Sequence, residues 1–357
     1  MSPPCPTVVV RCDLGPSYGV GHLMRCIALG EELQGRGLRP VFLADAESVP
    51  FALDQLRSRG FAWFAPPASD HDLLRRLASL GTRAVVIDSY RLPGSTYARV
   101  RAAYPTLALV DGDPAGKDGD LLLDQNVGAE EDDWALPAGT RRLAGLRYAL
   151  MRSEVREARA RRDSVGSAAA AAGPLRVLAF FGGTDAFGAA PVVTQALVAT
   201  ARPVDLHVVG ASPDLRSALA AITPGPGQRI TVVEPTPRLM EQVASADVVL
   251  SAAGTSSWEL LCLGAACGLV CVADNQRDSY DRVVGLGAVV GLGQLSELRA
   301  EPSLAAGPLL TLLEDPGLRR SLRRAGTDLV DGRGRERVVD ALTRVVDDGS
   351  QRSRRPG

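Results

Sequence analysis

Short runs of apolar, mostly β-branched residues alternate along this chain with longer stretches whose apolar residues recur at helical spacing. In the first half, the runs are VVVRCD, RPVFLAD, RAVVIDSY and LALVDG, and near-continuous apolar strands of this kind are typical of parallel sheets covered on both faces. The intervening segment HLMRCIALGEELQGRG repeats apolar residues three or four positions apart and predicts a helix. The alternation starts again at Leu175 with LRVLAFFGGTD. The pattern therefore predicts an α/β protein with two doubly wound, Rossmann-like domains.

The α/β pattern is interrupted once, near the middle of the chain. Residues 152–174 open as a charged helix and continue as SVGSAAAAAGP, a composition that favours an interdomain linker. We therefore expect a first domain over 1–151, a second over 175–348 and a disordered tail over 349–357. Ligands of such sheets bind beyond the carboxyl ends of the strands, so two domains that face each other would form a central cleft.

Composition excludes several classes of function. The 357 residues include 40 Lys plus Arg and 41 Asp plus Glu, a net charge of -1, and 4% are aromatic. This balance disfavours binding to nucleic acid, and no apolar run approaches the ~18 residues needed for membrane insertion. The only lysine, Lys117, lies in a turn-like segment and does not follow P-loop glycines, so a Schiff-base role is discounted. The six cysteines form no C-x-x-C pair and the N-terminus lacks a signal-peptide pattern, so we expect reduced thiols and a cytoplasmic location.

Candidate chemistry in the first half follows the ends of its strands. The segment GVGH (19–22) stands between the first strand and its helix, where glycines permit a tight turn. The positive end of the helix dipole disfavours the imidazolium, so a neutral His22 could act as a general base; it could equally serve only as a hydrogen-bonding group at the helix end. DSY (88–90) holds either ligand contacts or turn residues. DGD (111–113) resembles the D-x-D metal site of some glycosyltransferases, but an acidic turn before a proline is the favoured interpretation, and we predict no metal and no cofactor.

The second half has glycine and hydroxyl residues at corresponding places. FGGTD (181–185) and SAAGTSSWE (251–259) both lead from a strand into a helix, where backbone N–H groups can hold an anion, although either could be an ordinary turn. Glu259 could accept hydrogen bonds from ribose hydroxyls or stabilise its own helix N-terminus. Two anion-binding loops and an acid suggest a nucleoside diphosphate, and a base in the first half suggests attack at a carbon that carries a diphosphate leaving group.

An ordered set of motifs resembles a known family. RCDLGPSYGVGHLMRCIALGEEL, VVIDSY, DLLLDQN, GLRYALMRSE, FFGGTD, SAAGTSSWELLCLG and ADNQ occur in the order seen in PseG-type proteins. These are the UDP-2,4-diacetamido-2,4,6-trideoxy-β-L-altropyranose hydrolases of pseudaminic acid biosynthesis, commonly grouped with SpsG-like spore coat polysaccharide biosynthesis proteins. The resemblance spans about residues 7–285 and implies the GT-B architecture, similar to MurG glycosyltransferase.

The resemblance also implies a reaction and a set of site residues. A UDP-linked (di)amino-deoxy sugar would be hydrolysed at its anomeric C–O bond to UDP and free sugar, with inversion. His22 would position or deprotonate water, while Tyr90 and Asn275 would contact the sugar or order the water. The predicted catalytic residues are His22, Tyr90, Asn275 and Asp13. The predicted nucleotide-binding residues are Gly21, Gly182, Gly183, Thr184, Asp185, Ala253, Gly254, Thr255, Ser256 and Glu259. The predicted substrate-binding residues are Arg25, Asp88 and Gln276.

Two other functions fit the same sequence. An inverting GT-B glycosyltransferase would use an acceptor hydroxyl in place of water, and a non-catalytic protein would only bind the nucleotide-sugar. The chain also departs from the family pattern near the presumed sugar side, at Cys12 and Leu14-Gly15 around Asp13, at Ser89 and at Asp111-Gly112. The resemblance therefore leaves the sugar itself unspecified.

Overall fold

The computed structural model describes residues 5–15, 20–165, 173–182, 185–210 and 212–352. The chain forms two compact units. Unit 1 comprises the described parts of Met1–Ser153 and Gly332–Gly357, and unit 2 those of Glu154–Asp331.

Unit 1 is built on a parallel sheet of seven strands in the order β3-β2-β1-β4-β5-β6-β7. Its strands are β1 (Thr7–Cys12), β2 (Arg39–Leu43), β3 (Ala62–Phe64), β4 (Thr82–Asp88), β5 (Thr106–Leu109), β6 (Leu121–Asp124) and β7 (Arg141–Ala144). Its first four α-helices are α1 (Gly21–Gly35), α2 (Pro50–Ser58), α3 (Asp70–Ser79) and α4 (Gly94–Ala103).

The central strand β1 shows why its sequence is apolar throughout. Val8 and Val10 belong to the core cluster that contains Leu23 and Ile27 of α1. Val9, between them, belongs to a second cluster with residues of α3 and α4. Successive side chains of a strand point to opposite faces, so a sheet with helices on both faces requires apolar residues at every position.

Unit 2 repeats this plan with a parallel sheet of six strands in the order β10-β9-β8-β11-β12-β13. Its strands are β8 (Leu175–Phe180), β9 (Val204–Val209), β10 (Gln228–Val233), β11 (Val248–Ala252), β12 (Cys267–Cys271) and β13 (Val290–Gln294). Its helices are α5 (Ser153–Val165), α6 (Ala189–Ala199), α7 (Pro213–Ala220), α8 (Leu239–Ser245), α9 (Ser256–Cys262), α10 (Arg277–Gly285), α11 (Leu295–Ala300), α12 (Ala306–Glu314) and α13 (Pro316–Leu329). The predicted fold class, two doubly wound parallel sheets, is confirmed.

Helix α5 occupies the first part of the segment predicted as a linker over 152–174. Its Arg159 Nη1 donates hydrogen bonds to the carbonyl oxygens of Val330, at 2.6 Å, and Cys262, at 3.2 Å. These bonds hold the helix on unit 2, so this part of the predicted linker belongs to a folded unit. Residues 166–172 of the predicted linker lie outside the described residues.

The last helix, α14 (Gly334–Arg352), returns to unit 1, so the predicted second domain of 175–348 is corrected at its C-terminal end. Val338 and Leu342 enter the core cluster of unit 1. Arg335, which is 8% exposed, pairs with Glu31 of α1 at 2.8 Å. These apolar and charged contacts hold α14 against unit 1. The helix extends into the first residues of the predicted tail over 349–357, and residues 353–357 lie outside the described residues.

Each sheet has one point at which the order of its strands changes direction. In unit 1 the connections leave β1 toward β2 on one side and, later, β4 on the other; in unit 2 the same change of direction separates β8 from β11. Crevices at the carboxyl ends of strands at such a switch point are the usual ligand sites of doubly wound sheets. Across the described ranges, no helix combines the length and apolarity that crossing a membrane requires.

Candidate functional site

A buried histidine–aspartate pair lies at the switch point of unit 1. His22 is the second residue of α1, and its Nδ1 lies 2.7 Å from Oδ1 of Asp88, the last residue of β4. Arg25 Nη2 is 3.2 Å from the same imidazole nitrogen, but the carboxylate contact is shorter, so we assign the proton on Nδ1 to a hydrogen bond with Asp88. This tautomer leaves Nε2 as an acceptor, which is the form a general base needs.

Arg25 forms hydrogen bonds to two carboxylates, those of Asp88 and Asp111. Its Nε and Nη2 donate to the two oxygens of Asp88, both at 2.6 Å, and its Nη1 donates to Asp111 at 2.8 Å. Burial by itself would raise the pKa of Asp88, but the charge and hydrogen bonds of Arg25 outweigh it and lower that pKa. Arg25 and Asp88 were predicted to bind the substrate; their engagement with each other favours a positioning role for both.

Tyr90 covers the imidazole and reaches Asp111. The rings of His22 and Tyr90 meet edge to face with centroids 4.7 Å apart, and Tyr90 is 55% exposed. The phenol donates a hydrogen bond to Asp111, which also accepts one from Asn126 Nδ2 at 3.0 Å. Burial and the charge of Asp111 raise the pKa of Tyr90, so the phenol stays protonated near neutral pH. The DGD segment therefore supplies Asp111 to the hydrogen-bond network around Arg25.

Asp13 secures the loop that carries Tyr90. Its carboxylate, 2% exposed, accepts hydrogen bonds from the Ser89 hydroxyl at 2.9 Å and the Tyr90 amide at 2.8 Å. Arg11 Nη1 approaches the other oxygen at 3.1 Å. Asp13 was predicted to be catalytic; since both oxygens already have partners, its geometry favours a positioning role.

Lys117 is a site residue that the sequence argument discounted. Its Nζ lies 4.7 Å from the centre of the Tyr90 ring. The loop between β5 and β6 brings it there, because β5 and β6 follow β4 in the sheet. The proximity to Tyr90 depends on strand order, and local sequence carries no signal for it.

In the loop after β8, the carboxylate of Asp185 accepts hydrogen bonds from the first amides of α6. Asp185 Oδ1 accepts a hydrogen bond from the Ala189 amide at 2.8 Å, and Oδ2 accepts one from the Ala190 amide at 2.9 Å. Gly182 has a φ of 77°, a left-handed conformation that glycine adopts without strain. Gly183 and Thr184, predicted to bind nucleotide, lie outside the described residues. The first amides of α6 thus already have a carboxylate partner.

The loops after β11 and β12 meet each other in unit 2. A Cβ built at Gly254 would lie 3.6 Å from Gln276 Nε2, and Gln276 Oε1 accepts a hydrogen bond from the Val272 amide at 3.2 Å. Asn275 and Thr255 are exposed beside them. The remaining residues predicted for these loops are Ala253, which is buried, and Ser256 and Glu259, which are partly exposed on α9.

The predicted site residues thus fall into two groups. Unit 1 gathers Asp13, Gly21, His22, Arg25, Asp88 and Tyr90, with Gly21 as the partly exposed first residue of α1. Unit 2 holds the described members of the nucleotide set with Asn275 and Gln276. In the part of the chain that the structure describes, His, Cys, Asp and Glu form no group of three suited to a metal ion.

Comparison with known proteins identifies a relative of nearly the same length. The chain matches no family model. It is 23% identical over 353 residues to the spore coat polysaccharide biosynthesis protein SpsG of Bacillus subtilis (strain 168), covering 94% of this chain and 97% of that protein. The predicted resemblance to SpsG-like proteins is confirmed.

Solved glycosyltransferase structures share the fold. MurG of Acinetobacter baumannii is 16% identical with a TM-score of 0.69, covering 95% of this chain and 100% of that one. Phytolacca americana UGT2, complexed with UDP-2-fluoroglucose and pterostilbene, is 12% identical with a TM-score of 0.66, over 96% and 100% of the two chains. The spinosyn rhamnosyltransferase SpnG, complexed with thymidine diphosphate, is 15% identical with a TM-score of 0.58, over 92% and 95%. The chain has the GT-B fold.

Proposed function

We propose that this SpsG homologue with the GT-B fold is a nucleotide-sugar hydrolase of surface polysaccharide or nonulosonic (pseudaminic-type) acid biosynthesis. Its substrate would be a UDP-linked (di)amino-deoxy sugar, and its products UDP and the free sugar with inverted anomeric configuration. The name of the SpsG relative supports a role in polysaccharide biosynthesis, and the nucleotide complexes of the GT-B neighbours support a nucleotide-sugar substrate. We place the reaction in the cytoplasm, where the six free thiols would remain reduced.

The observation that carries the proposal is the 2.7 Å contact between His22 Nδ1 and Asp88. With that nitrogen committed to Asp88, His22 Nε2 would accept a proton from a water molecule. The water oxygen would form a bond to the anomeric carbon on the face opposite the leaving group. The bond between that carbon and the diphosphate oxygen would break, and its electron pair would leave with UDP. Asp88 would stabilise the imidazolium until it releases the proton to solvent.

The surrounding residues of unit 1 would hold this base in one orientation. Arg25 fixes the Asp88 carboxylate through two hydrogen bonds at 2.6 Å. Asp13 fixes the loop that carries Tyr90. Tyr90, the exposed member of the cluster, would contact the sugar. In unit 2 the loops after β8, β11 and β12 would bind the nucleotide, with Asn275 and Gln276 contributing to the sugar or the ordered water.

Glycosyl transfer is the second candidate, because the similar solved structures include glycosyltransferases. Incubation with UDP-sugars in the absence of any acceptor separates the two functions. Rapid release of one UDP per sugar supports hydrolysis, and release only after an acceptor is added supports transfer.

His22→Ala tests the proposed base. We expect turnover to fall by about 10²–10⁴-fold while UDP affinity is unchanged, because the imidazole acts on water and not on the nucleotide. The matched control is His71→Ala, which removes an exposed histidine from α3 and should leave both quantities unchanged. Turnover that survives in His22→Ala would show that another group activates the nucleophile.

A further inference from the structure

Lys117 is the only lysine of this chain. The fold places it beside Tyr90, at the edge of the cluster that His22, Arg25, Asp88, Tyr90 and Asp111 form in unit 1. Its ammonium lies 4.7 Å from the centre of the Tyr90 ring, and that ring contacts the imidazole of His22. Every other basic side chain apart from the histidines is an arginine. The one flexible, compact cation of the sequence therefore lies beside Tyr90, the side chain proposed to contact the sugar.

The loop that presents Lys117 is anchored at both ends. The Lys117 amide donates a hydrogen bond to the Pro114 carbonyl at 2.9 Å. A Cβ built at Gly94 would lie 2.5 Å from the Gly116 carbonyl oxygen, so α4 can begin this close to the loop only with glycine. Just beyond Lys117, Asp118 forms an ion pair with Arg101 of α4. These contacts fix the backbone of the loop at Lys117 and so determine where its side chain starts.

The ammonium has no hydrogen-bond acceptor among the described residues. Its neighbours there include the Tyr90 ring and, at longer range, the charges of Asp111, Asp88, Arg25 and Asp13. Burial and the charge of Arg25 lower the pKa of Lys117, although the carboxylates favour the charged form. Because Lys117 is only partly buried, its ammonium is open to a hydrogen-bond acceptor that a ligand supplies.

We propose that Lys117 determines substrate specificity by donating a hydrogen bond to the carbonyl oxygen of an acylamino group on the sugar; this inference rests on the proposed function. A neutral acceptor suits the charges already present in the cluster. Asp13 is balanced by Arg11, and Asp88 and Asp111 share Arg25, so Lys117 supplies the remaining positive charge. A sugar carboxylate would leave the cluster with an excess negative charge, whereas an acyl carbonyl oxygen adds an acceptor and no charge.

The first test uses the fact that the sequence contains no other lysine side chain that an acylating reagent could label. Its acetylation by sulfo-N-hydroxysuccinimidyl acetate is followed by peptide mass spectrometry with saturating UDP, UDP-glucose, UDP-N-acetylglucosamine or a UDP-2,4-diacetamido-2,4,6-trideoxyhexose. We expect an acetamido sugar to slow labelling of Lys117 by about tenfold or more, and UDP or UDP-glucose to leave the rate nearly unchanged. Equal protection by UDP alone would place the ammonium against the diphosphate and overturn the assignment, as would no protection by any bound ligand.

The second test compares Lys117→Gln and Lys117→Arg. We expect Lys117→Gln to lower the preference in kcat/KM for acetamido over hydroxyl sugars by about tenfold, with UDP affinity unchanged, and Lys117→Arg to retain part of the preference. The control Arg75→Gln removes a positive charge from the exposed face of α3 and should change neither quantity. A uniform fall in kcat/KM for all sugars would reduce Lys117 to a structural partner of Tyr90. Failure of the protein to bind UDP or any UDP-sugar would instead overturn the proposed function, and the role of Lys117 with it.

Discussion

Replacing Asp88 by asparagine tests whether the buried carboxylate orients the catalytic base. The substitution keeps the shape of the side chain but removes its charge. In the native protein Asp88, 1% exposed, accepts bonds at 2.6 Å from Arg25 Nε and Nη2 and lies 2.7 Å from His22 Nδ1. An asparagine amide would point an N–H₂ group at one of these donors, so His22 or Arg25 loses its acceptor.

The cost can be estimated from the lost partners. Removing one member of a buried ion pair costs about 3–5 kcal/mol, and the lower end applies because Arg25 keeps Asp111. A loss of about 3 kcal/mol corresponds to a fall in Tm of about 6–12 °C for a folding unit of the size of unit 1. Because His22 would no longer be held as the Nδ1–H tautomer, we also expect turnover to fall by about 10²–10⁴-fold.

The assay combines thermal unfolding, followed by circular dichroism, with release of UDP from a UDP-sugar. Asp111→Asn is the matched control, because it also removes one carboxylate partner of Arg25 but leaves the contact between His22 and Asp88 in place. We expect it to lower Tm with a smaller loss of turnover. The double variant His22→Ala/Asp88→Asn should be no slower than His22→Ala, since the two residues act as a unit. A folded Asp88→Asn protein with wild-type turnover would refute the reasoning.

Two further predictions concern stability. The charge of Arg25 holds the pKa values of Asp88 and Asp111 below their unfolded values, so the stability that these carboxylates contribute is fully present above about pH 4 and is lost as pH falls through the folded-state values. The urea midpoint of unfolding should therefore drop below about pH 4, and less steeply in Asp111→Asn than in the wild type. Parallel curves for the two proteins would contradict this. In unit 2, Asp185 has a φ of 49° and its carboxylate accepts hydrogen bonds from the first amides of α6. Asp185→Ala removes that acceptor and should lower the free energy of unfolding, measured by urea titration, by about 1–2 kcal/mol. The control is Asp185→Asn, which keeps an acceptor and tolerates the positive φ, so it should lose less stability.

The parts of the fold that depend on local pattern were predictable from the sequence. The apolar runs of β1, β4, β8 and β11 are strands as expected, because a strand covered on both faces must be apolar at every position. His22 lies in the first turn of α1, close to the predicted junction, because the change from strand to helix periodicity marks where the helix begins. Short strands with polar or glycine residues, β7 and β13, carry too little pattern to be recognised.

What the sequence by itself determined is that the chain would fold into two doubly wound sheets with polar residues at the ends of their strands. Which of those residues meet was decided only by the tertiary structure. Arg25 bonds to Asp88 and Asp111, 63 and 86 positions away, and α14 packs on α1 across 304 positions between Glu31 and Arg335. The physical reason is that the order β1-β4-β5 aligns three carboxyl ends that lie far apart along the chain. Burial of those ends then pairs their charges, because an unpaired charge there would be too costly to retain.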